Sequence, residues 1–272
     1  MSKITLYNNN CFDVFKYLIK ENIKFDCIIA DLPQEITKNK WDRIIPLEKM
    51  WSYLYQLKKN KSTPIILFSN QPFTTKLISS NIEDFKYCRY WEKDRPSNFL
   101  NSSKQPLRNI EDIAIFGEDR RTFIEDIIFF YEKQPKYFPQ KLIGKENHNM
   151  GNQYINKEIK NNNYGKFIPK INDYGHFKFP RQIMEYKRPH PPIHPTEKPV
   201  KLLEELIKTY TLEGDLVLDF CMGSGSTGLA CKILNRSFIG IEKEKEYFNL
   251  ALERINNLKN NNEEQLSLFG GI

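Results

Sequence analysis

The sequence predicts an α/β fold, in which a mostly parallel twisted sheet carries helices on both faces. Short apolar runs, typical of strands buried on both faces, alternate with segments whose apolar residues recur at helical spacing. A glycine-rich turn then joins a strand to a helix late in the chain, as in sheets that bind nucleotides. The 272 residues allow one large domain, or one domain with an inserted module.

Residues 1–117 are predicted to form one half of this domain. Asp31 and Pro33 directly follow a buried strand, within the stretch DLPQEITKNKWD. An acid at the carboxyl end of such a strand lies on the side of the sheet where ligands bind, so Asp31 is a candidate functional residue. The sequence pattern of this half predicts strands at 4–7, 25–30, 64–68, 87–91 and 112–116, and helices at 12–19, 47–57 and 73–78.

Residues 181–258 are predicted to form the other half, followed by a flexible tail at 259–272. The tail begins with Lys, Asn and Glu residues, a composition typical of a disordered linker. The pattern of this half predicts helices at 200–210, 226–234 and 246–258, and strands at 215–220 and 237–242.

Residues 118–180 have poor periodicity and are predicted to be an inserted recognition region. Basic residues interleaved with aromatic ones suit a surface that faces nucleic acid. The alternative is a long variable insertion without a ligand. The residues that carry this interpretation are Arg120, Arg121, Lys133, Lys136, Lys141, Lys145, Tyr131, Tyr137, Tyr154 and Tyr164.

Composition excludes some classes of protein. No apolar run reaches the roughly 18 residues that a transmembrane helix needs, and the N-terminus lacks an apolar signal region, so a cytoplasmic protein is expected. Five cysteines without a C-x-x-C pair indicate reduced thiols, and no metal site is predicted. The net charge of +7 fits a polyanionic partner and equally fits a lysine-rich solvated surface.

The glycine-rich turn lies in the stretch LVLDFCMGSGSTGLA. Gly223, Gly225 and Gly228 fit the pattern G-x-G-x-x-G, and Glu242 ends the next predicted strand 19 residues after Gly223. This pattern predicts a nucleotide site, but it does not separate NAD from S-adenosylmethionine, and a plain strand-to-helix turn is the alternative. Few residues follow Glu242, so earlier strands must complete the sheet, which would bring Asp31 into the same crevice.

Six motifs follow one another in the order of a known enzyme family. They are DLPQ with NKWD, ILFSNQPFTTKLI, SKQPLRNIEDIAIF, HPTEKPVKLLEELIKTYT, DFCMGSGSTGLAC and RSFIGIE. Through them, residues 1–258 resemble the β-class amino-group DNA methyltransferases. The resemblance implies a Rossmann-like fold with circularly permuted motif order, S-adenosylmethionine as cofactor, and site-specific methylation of a base flipped out of double-stranded DNA.

The D-L-P-Q stretch resembles the catalytic D-P-P-Y motif of that family. The resemblance implies that Asp31 and the backbone carbonyl of Leu32 accept the hydrogens of the target amine, while Pro33 fixes the turn. Gln34 stands where the family has an aromatic residue that stacks on the flipped base, and losing that stacking could cost about 1–3 kcal/mol. Trp41 could replace the missing ring, Gln34 could hydrogen-bond the base edge, or catalysis could be weak or absent.

The resemblance also implies a set of residues that bind the cofactor. The backbone at Phe220, Gly223 and Gly225 would hold its methionine part, Asp219 would lie near its amino group, and Glu242 would bind the ribose hydroxyls.

Two other segments complete this predicted cofactor pocket. His194, Thr196 and Lys198 belong to the HPTEKP segment that lines the pocket in the family, although a capping or packing role for His194 is the alternative. Asn10 stands where the family usually has an acid, and its amide could still hydrogen-bond an adenine ring.

The leading hypothesis is adenine-N6 methylation, because an acid at the first motif position favours adenine. A catalytically weakened DNA-binding homologue and a cytosine-N4 methyltransferase are the alternatives. A nicotinamide oxidoreductase would explain the glycine loop alone. Gln265–Phe269, QLSLF, resembles the short peptides that bind sliding clamps. The recognition sequence, a homodimer and a cognate restriction endonuclease are left open.

Overall fold

The computed structural model describes residues 2–97, 108–116, 134–144, 158–161, 165–167 and 177–269. The chain divides into two compact units, Met1–Phe138 with Gln182–Ile272, and Pro139–Arg181. The strands are β1 (Ile4–Asn8), β2 (Cys27–Asp31), β3 (Ile65–Ser69), β4 (Phe85–Ser97), β5 (Arg108–Phe116), β6 (Leu142–Ile143), β7 (Ile159–Asn161), β8 (Gly165–Phe167), β9 (Phe177–Lys178), β10 (Ile183–Glu185), β11 (Leu216–Asp219) and β12 (Ser237–Glu242). The helices are α1 (Cys11–Lys20), α2 (Leu47–Leu57), α3 (Phe73–Ser79), α4 (Val200–Tyr210), α5 (Ser226–Ile233) and α6 (Lys245–Phe269).

The larger unit is built on an eight-stranded sheet in the order β1-β12-β11-β2-β3-β5-β4-β10. The first five strands of this order are parallel, β5 is antiparallel to both of its neighbours, and β10 is parallel to β4. This mixed, mostly parallel sheet confirms the predicted α/β fold. The smaller unit contains two short antiparallel pairs, β6 with β9 and β7 with β8.

Both faces of the sheet are covered by helices, which explains why the central strands are continuously apolar. On β2, Ile28 and Ala30 pack into the core cluster that contains α1, α2 and α3. Cys27 and Ile29 point to the opposite face, into the cluster that contains residues of α4, α5 and α6. Alternate residues of one strand therefore belong to two separate cores.

The strand register positions the candidate functional residues. Because β12, β11, β2 and β3 are parallel neighbours, their carboxyl ends meet at one edge of the sheet. Glu242, Asp219 and Asp31 end the first three of these strands, and Asn70 follows the fourth. The crevice that the sequence predicted between Asp31 and the glycine loop is thus a direct result of the sheet order.

The largest difference from the predicted elements concerns the end of the last helix. The sequence predicted an end at residue 258, whereas α6 runs to Phe269. The predicted end is wrong, because the polar residues after 258 were taken to form a linker. The segment 259–269 contains Lys, Glu, Gln and Leu, which are good helix formers, and no glycine or proline interrupts it. None of the described helices combines the length and the apolarity needed to cross a bilayer.

The predicted recognition region at 118–180 is described only in part. Lys136, Tyr137 and Lys141 are described, and the amine of Lys141 lies 5.7 Å from the ring centre of Phe179. The other named residues, Arg120, Arg121, Lys133, Lys145, Tyr131, Tyr154 and Tyr164, lie outside the described residues. The role of this region stays a prediction.

Candidate active site

A cavity of about 460 Å³ opens at the carboxyl edge of the parallel strands. It lies entirely within the larger unit, and residues of the D-L-P-Q motif, the HPTEKP segment and the glycine loop line it together. The sequence-predicted residues on its wall are Asn10, Asp31, Leu32, Pro33, Gln34, Trp41, His194, Thr196, Lys198, Asp219, Phe220, Gly223 and Glu242.

Asp31 belongs to a largely buried row of four alternating charges. Its Oδ2 accepts a hydrogen bond from Lys198 Nζ at 2.5 Å, and the same amine lies 2.9 Å from Oε1 of Glu111 on β5. Oε2 of Glu111 lies 2.6 Å from the amine of Lys93 on β4. Lys198, predicted to line the cofactor pocket, is therefore the direct partner of the predicted catalytic acid.

The four charged groups of this row influence one another's pKa. Burial raises the pKa of Asp31, Lys198 opposes that rise, and Glu111 adds to it. Burial also acts to raise the pKa of Glu111, but Lys198 and Lys93 outweigh it, so that pKa is lowered. Burial acts to lower the pKa of Lys198, but Asp31 and Glu111 outweigh it, and Lys198 stays cationic.

The loop after Asp31 is organised by Asp42, to which the sequence analysis gave no role. Asp42 Oδ1 accepts from the backbone N–H groups of Gln34 and Glu35 at 2.7 and 2.9 Å. Its Oδ2 accepts from those of Ile36 and Thr37 at 3.0 and 2.7 Å. One buried carboxylate thus satisfies four successive backbone donors and fixes the conformation of residues 34–37.

Replacing Asp42 with asparagine should destabilise the protein by roughly 1–3 kcal/mol, because the amide Nδ2 would face backbone donors. Burial acts to raise the pKa of Asp42, but hydrogen bonds from Thr37, Gln34 and Glu35 outweigh it and lower the pKa. The stabilisation is therefore complete above the ordinary aspartate pKa of about 3.9, and it is lost as the pH falls through the lowered value.

Urea unfolding of wild type and Asp42→Asn at two pH values tests this expectation. The difference in unfolding free energy should be the same at about pH 7 and about pH 5, since Asp42 is ionised at both. Asp13→Asn, at an exposed position on α1, is the matched control. A difference that shrinks between the two pH values would contradict the assignment.

Gln34 is fixed by its side chain as well as by its backbone. Its Oε1 accepts from the backbone N–H of Asn70 at 2.7 Å and lies 3.3 Å from Asn70 Nδ2. The residue is 7% exposed and lines the cavity. The aromatic of the resembled motif is therefore replaced by an amide that is held at the end of β3.

The glycine loop combines tight backbone geometry with a buried carboxyl group, Asp219, and a half-buried one, Glu242. Gly223 has a φ of +49°, which favours glycine, and its N–H donates to Glu242 Oε2 at 2.9 Å. Glu242 Oε1 accepts from the N–H of Glu244 at 2.8 Å. Asp219 accepts from the Thr227 hydroxyl at 2.6 Å and from the Cys221 N–H at 3.1 Å.

Burial changes the ionisation of both carboxyl groups. It raises the pKa of Asp219 to about 7, although hydrogen bonds from Thr227 and Cys221 oppose the rise. Burial also raises the pKa of Glu242, against hydrogen bonds from Glu244 and Gly223. A cavity that makes carboxyl groups reluctant to ionise will favour a cationic ligand, which would relieve that cost.

His194 lies over the glycine loop as a neutral ring. Its Nδ1 accepts from the backbone N–H of Thr196 at 3.2 Å, so the proton is on Nε2. A Cβ added at Gly223 would lie 3.5 Å from that Nε2. Burial and the charge of Lys198 lower the pKa of His194 to about 4, which keeps the ring neutral near pH 7.

Trp41 packs against His194 and Tyr247, with ring centres 5.5 and 6.2 Å away. The rings of His194 and Tyr247 are themselves 4.2 Å apart. Trp41 thereby joins an aromatic cluster beside Gly223. Its predicted stacking on the target base stays a prediction.

Arg254 of α6 connects the glycine loop to the HPTEKP segment. Its Nη1 donates to Ser226 Oγ at 2.9 Å and to the carbonyl of Ser224 at 3.3 Å. Its Nη2 lies 2.7 Å from Oε1 of Glu197, whose Oε2 accepts from the N–H of Ile193. Two of the segments that line the cavity are thus held together by one guanidinium group.

Three predicted cofactor residues also make structural contacts, and their predicted roles stay predictions. Gly225, with a φ of +77°, is not among the residues of the cavity wall, and a Cβ there would lie 2.8 Å from Cβ of Ala251. Asn10 Oδ1 caps α1 by accepting from the Phe12 N–H at 2.9 Å, so only its Nδ2 remains for a ligand. Phe220 is buried, and its ring packs against Phe15.

Some functional candidates were missed in the sequence, although two had a signal. Glu111 and Asp112 are adjacent acids in an apolar strand, so their side chains point to opposite faces of a sheet that is covered on both sides. A carboxylate buried there needs a positively charged or hydrogen-bonding partner. The second signal concerns Asp42, which is the acid at the end of the NKWD motif. Tyr247 of α6 lines the cavity, and Arg254 of α6 holds two of the lining segments together. Nothing local in the sequence indicates either role.

The chain is similar to the Type II methyltransferase M2.DpnII of Streptococcus pneumoniae, with 53% identity over 62 residues, 23% of each chain. It is similar to the Type II methyltransferase M2.LlaDCHI of Lactococcus lactis subsp. cremoris, with 51% identity over 63 residues, again 23% of each. These matches span less than a quarter of the curated relatives.

Solved structures match over much more of the chain. The crystal structure of the M1.HpyAVI–SAM complex has a TM-score of 0.60 and 26% identity, and the match covers 92% of this chain and 99% of that one. The cytosine-N4-specific PvuII DNA methyltransferase has a TM-score of 0.57 at 13% identity, covering 96% of this chain and 92% of that one, which shows a shared fold alone.

A family model described as DNA methylase matches residues 22–253. This range contains the D-L-P-Q motif, the HPTEKP segment, the glycine loop and the acid that ends β12. Because the match covers most of the chain, the protein belongs to the N6/N4 DNA methylase family.

Proposed function

We propose that the protein transfers a methyl group from S-adenosylmethionine to the exocyclic N6 of an adenine flipped out of double-stranded DNA, at a specific site. The observation that carries the proposal is the shared cavity: Asp31 and the glycine loop with Glu242 line the same crevice. A donor held by the loop and an amine held by Asp31 would therefore meet without any rearrangement of the sheet.

The residues of the cavity fit a cationic nucleoside cofactor. Gly223 lets the His194 ring lie against the backbone of the glycine loop, and both residues line the cavity. Glu242 ends the strand where ribose hydroxyls are expected. Asp219 is a buried carboxyl group whose ionised form a nearby cation would stabilise. S-adenosylmethionine, when bound, supplies a methyl carbon on a sulfonium, and the bonding pair that breaks stays on sulfur.

Asp31 and the Leu32 carbonyl would prepare the target amine. By accepting its hydrogens they draw the nitrogen away from conjugation with the ring, so that its lone pair can form the new N–C bond. The methylated nitrogen then carries a positive charge and loses one of these hydrogens as a proton to Asp31, which passes it to solvent. Lys198 occupies Oδ2 of Asp31, which leaves Oδ1 for the amine.

Methyl transfer from a tritiated donor to mixed-sequence DNA, followed by sequencing that maps modified bases, tests the proposal. Labelled N6-methyladenine within one short sequence is the expected result. Labelled N4-methylcytosine would instead show that cytosine is the target base. A complete lack of transfer, with DNA binding retained, would favour the weakened homologue and overturn the proposed reaction.

The raised pKa of Asp219 predicts how donor binding depends on pH. Because the cationic donor favours ionised Asp219, binding should release protons near pH 7, and affinity should rise with pH through that value. Calorimetry in two buffers with different ionisation enthalpies measures the proton release. Asp219→Asn should bind with a smaller pH dependence, while an unchanged dependence would contradict the assignment and indicate another group, such as Glu242.

Other partners are proposed from the sequence alone. Gln265–Phe269 would bind a sliding clamp as an extended peptide, which requires this end of α6 to unwind, whereas the alternative is a tail that covers an apolar patch. Absence of the clamp in a pull-down where a known clamp ligand succeeds would overturn this. A cytoplasmic location, a homodimer and a cognate endonuclease remain predictions.

A further inference from the structure

We propose that Gln34 reads the edge of the flipped base, with its Nε2 donating a hydrogen bond to a ring nitrogen that flanks the target amine. The inference rests on the proposed methyl transfer and deepens it, since it names a specificity contact in the same cavity. It also explains why an amide stands at the position where the resembled motif has an aromatic residue.

The orientation of the amide follows from its partners. The Asn70 backbone N–H is a donor, so the end of the Gln34 side chain that lies 2.7 Å from it must be the oxygen. The opposite end is then Nε2, which has no hydrogen-bond partner among the described residues. Because the side chain is nearly buried and lines the cavity, its remaining hydrogens are available to a ligand there.

The position of the amide is fixed before any ligand binds. Asp42 holds the backbone N–H of Gln34 at 2.7 Å, and Asn70 holds the far end of the same residue. The contact therefore needs little ordering of the side chain when a base enters. Trp41, the other candidate for base contact, is already packed against His194 and Tyr247.

The chemistry of the bases identifies what such a donor selects. In adenine, the N6 amine is flanked by the acceptors N1 and N7, and in cytosine the N4 amine is flanked by the acceptor N3. Thymine and guanine instead present a ring N–H at the corresponding Watson–Crick position. A donor that lines the same cavity as Asp31 thus favours a base with an amine next to an acceptor, whereas an aromatic residue would hold any base by its face.

Base analogues test the contact directly. Duplex oligonucleotides carrying the mapped site would contain adenine, 1-deazaadenine or 7-deazaadenine at the target position. The wild-type enzyme should methylate one of the two analogues roughly tenfold more slowly than adenine, because one hydrogen bond is lost. Gln34→Leu should react at that lower rate with adenine, and it should no longer distinguish adenine from that analogue.

Two further variants distinguish a hydrogen bond to the base from simple structural support of the loop. Gln34→Glu keeps an acceptor for the Asn70 N–H and, when ionised, lacks the donor, so it should lose discrimination; its melting temperature should fall because the new carboxylate is buried in the cavity wall. Gln56→Leu, at an exposed position on α2, is the matched control and should behave as wild type. Equal wild-type rates on adenine and both analogues, or full discrimination by Gln34→Leu, would overturn the inference. Absence of methyl transfer to any DNA would instead overturn the proposed function.

Discussion

Asp31→Asn should lower the rate of methyl transfer by about 100- to 1000-fold, while S-adenosylmethionine and DNA still bind. The substitution keeps the shape of the side chain but removes its charge. It can also place an N–H₂ donor where the target amine needs an acceptor. The expected loss is large because the amine must be drawn out of conjugation before it can attack, and Asp31 is the charged group placed to do so.

Single-turnover rates with a tritiated donor, together with separate binding measurements, would reveal this pattern. Asp13→Asn makes the same chemical change at a position on α1 where the side chain is 58% exposed, and it should leave the rate unchanged. If Asp31→Asn stayed within threefold of wild type at saturating donor and DNA, Asp31 would not be the acceptor for the amine. If donor binding failed instead, Asp31 would belong to the cofactor pocket.

The fold was predictable where local pattern and burial agree. The helices α2 and α4 and the strand β12 have the bounds that their apolar spacing predicted, because each buries a continuous apolar surface. The strand β10 was missed because it has three residues, of which only Met184 is buried. Such a strand depends on pairing with β4, and no local pattern specifies that pairing.

The site was predictable to the level of the crevice but not to the level of its hydrogen bonds. Parallel strands bring their carboxyl ends to one edge, so the proximity of Asp31, Asp219 and Glu242 follows from the fold. Lys198 and Asp31 are 167 residues apart in sequence, and their pairing depends on where the segment before α4 crosses the sheet. The HPTEKP motif indicated that Lys198 is functional, but it did not identify Asp31 as the partner of the Lys198 amine.

Lys198→Met is expected to have the second large effect, on stability and on the pH dependence of catalysis together. Breaking a buried ion pair costs about 3–5 kcal/mol, because the acids Asp31 and Glu111 would share the cavity wall without their common cation. The pKa of Asp31 is already raised by burial, and Lys198 is the main influence that lowers it. Its removal should raise that pKa further, so methyl transfer, which needs ionised Asp31, should require higher pH.

The pH–rate profile distinguishes this positioning role from a role in cofactor binding. In Lys198→Met the acidic limb should move to higher pH at unchanged donor affinity, and Lys198→Arg, which keeps the charge, should move it back toward wild type. Glu111→Gln in the Lys198→Met protein should also reverse part of the shift, because Glu111 itself raises the pKa of Asp31. Lys16→Met, at an exposed position on α1, is the matched control. An unmoved acidic limb with weakened donor binding would return Lys198 to the cofactor pocket, where its sequence motif had suggested it belongs.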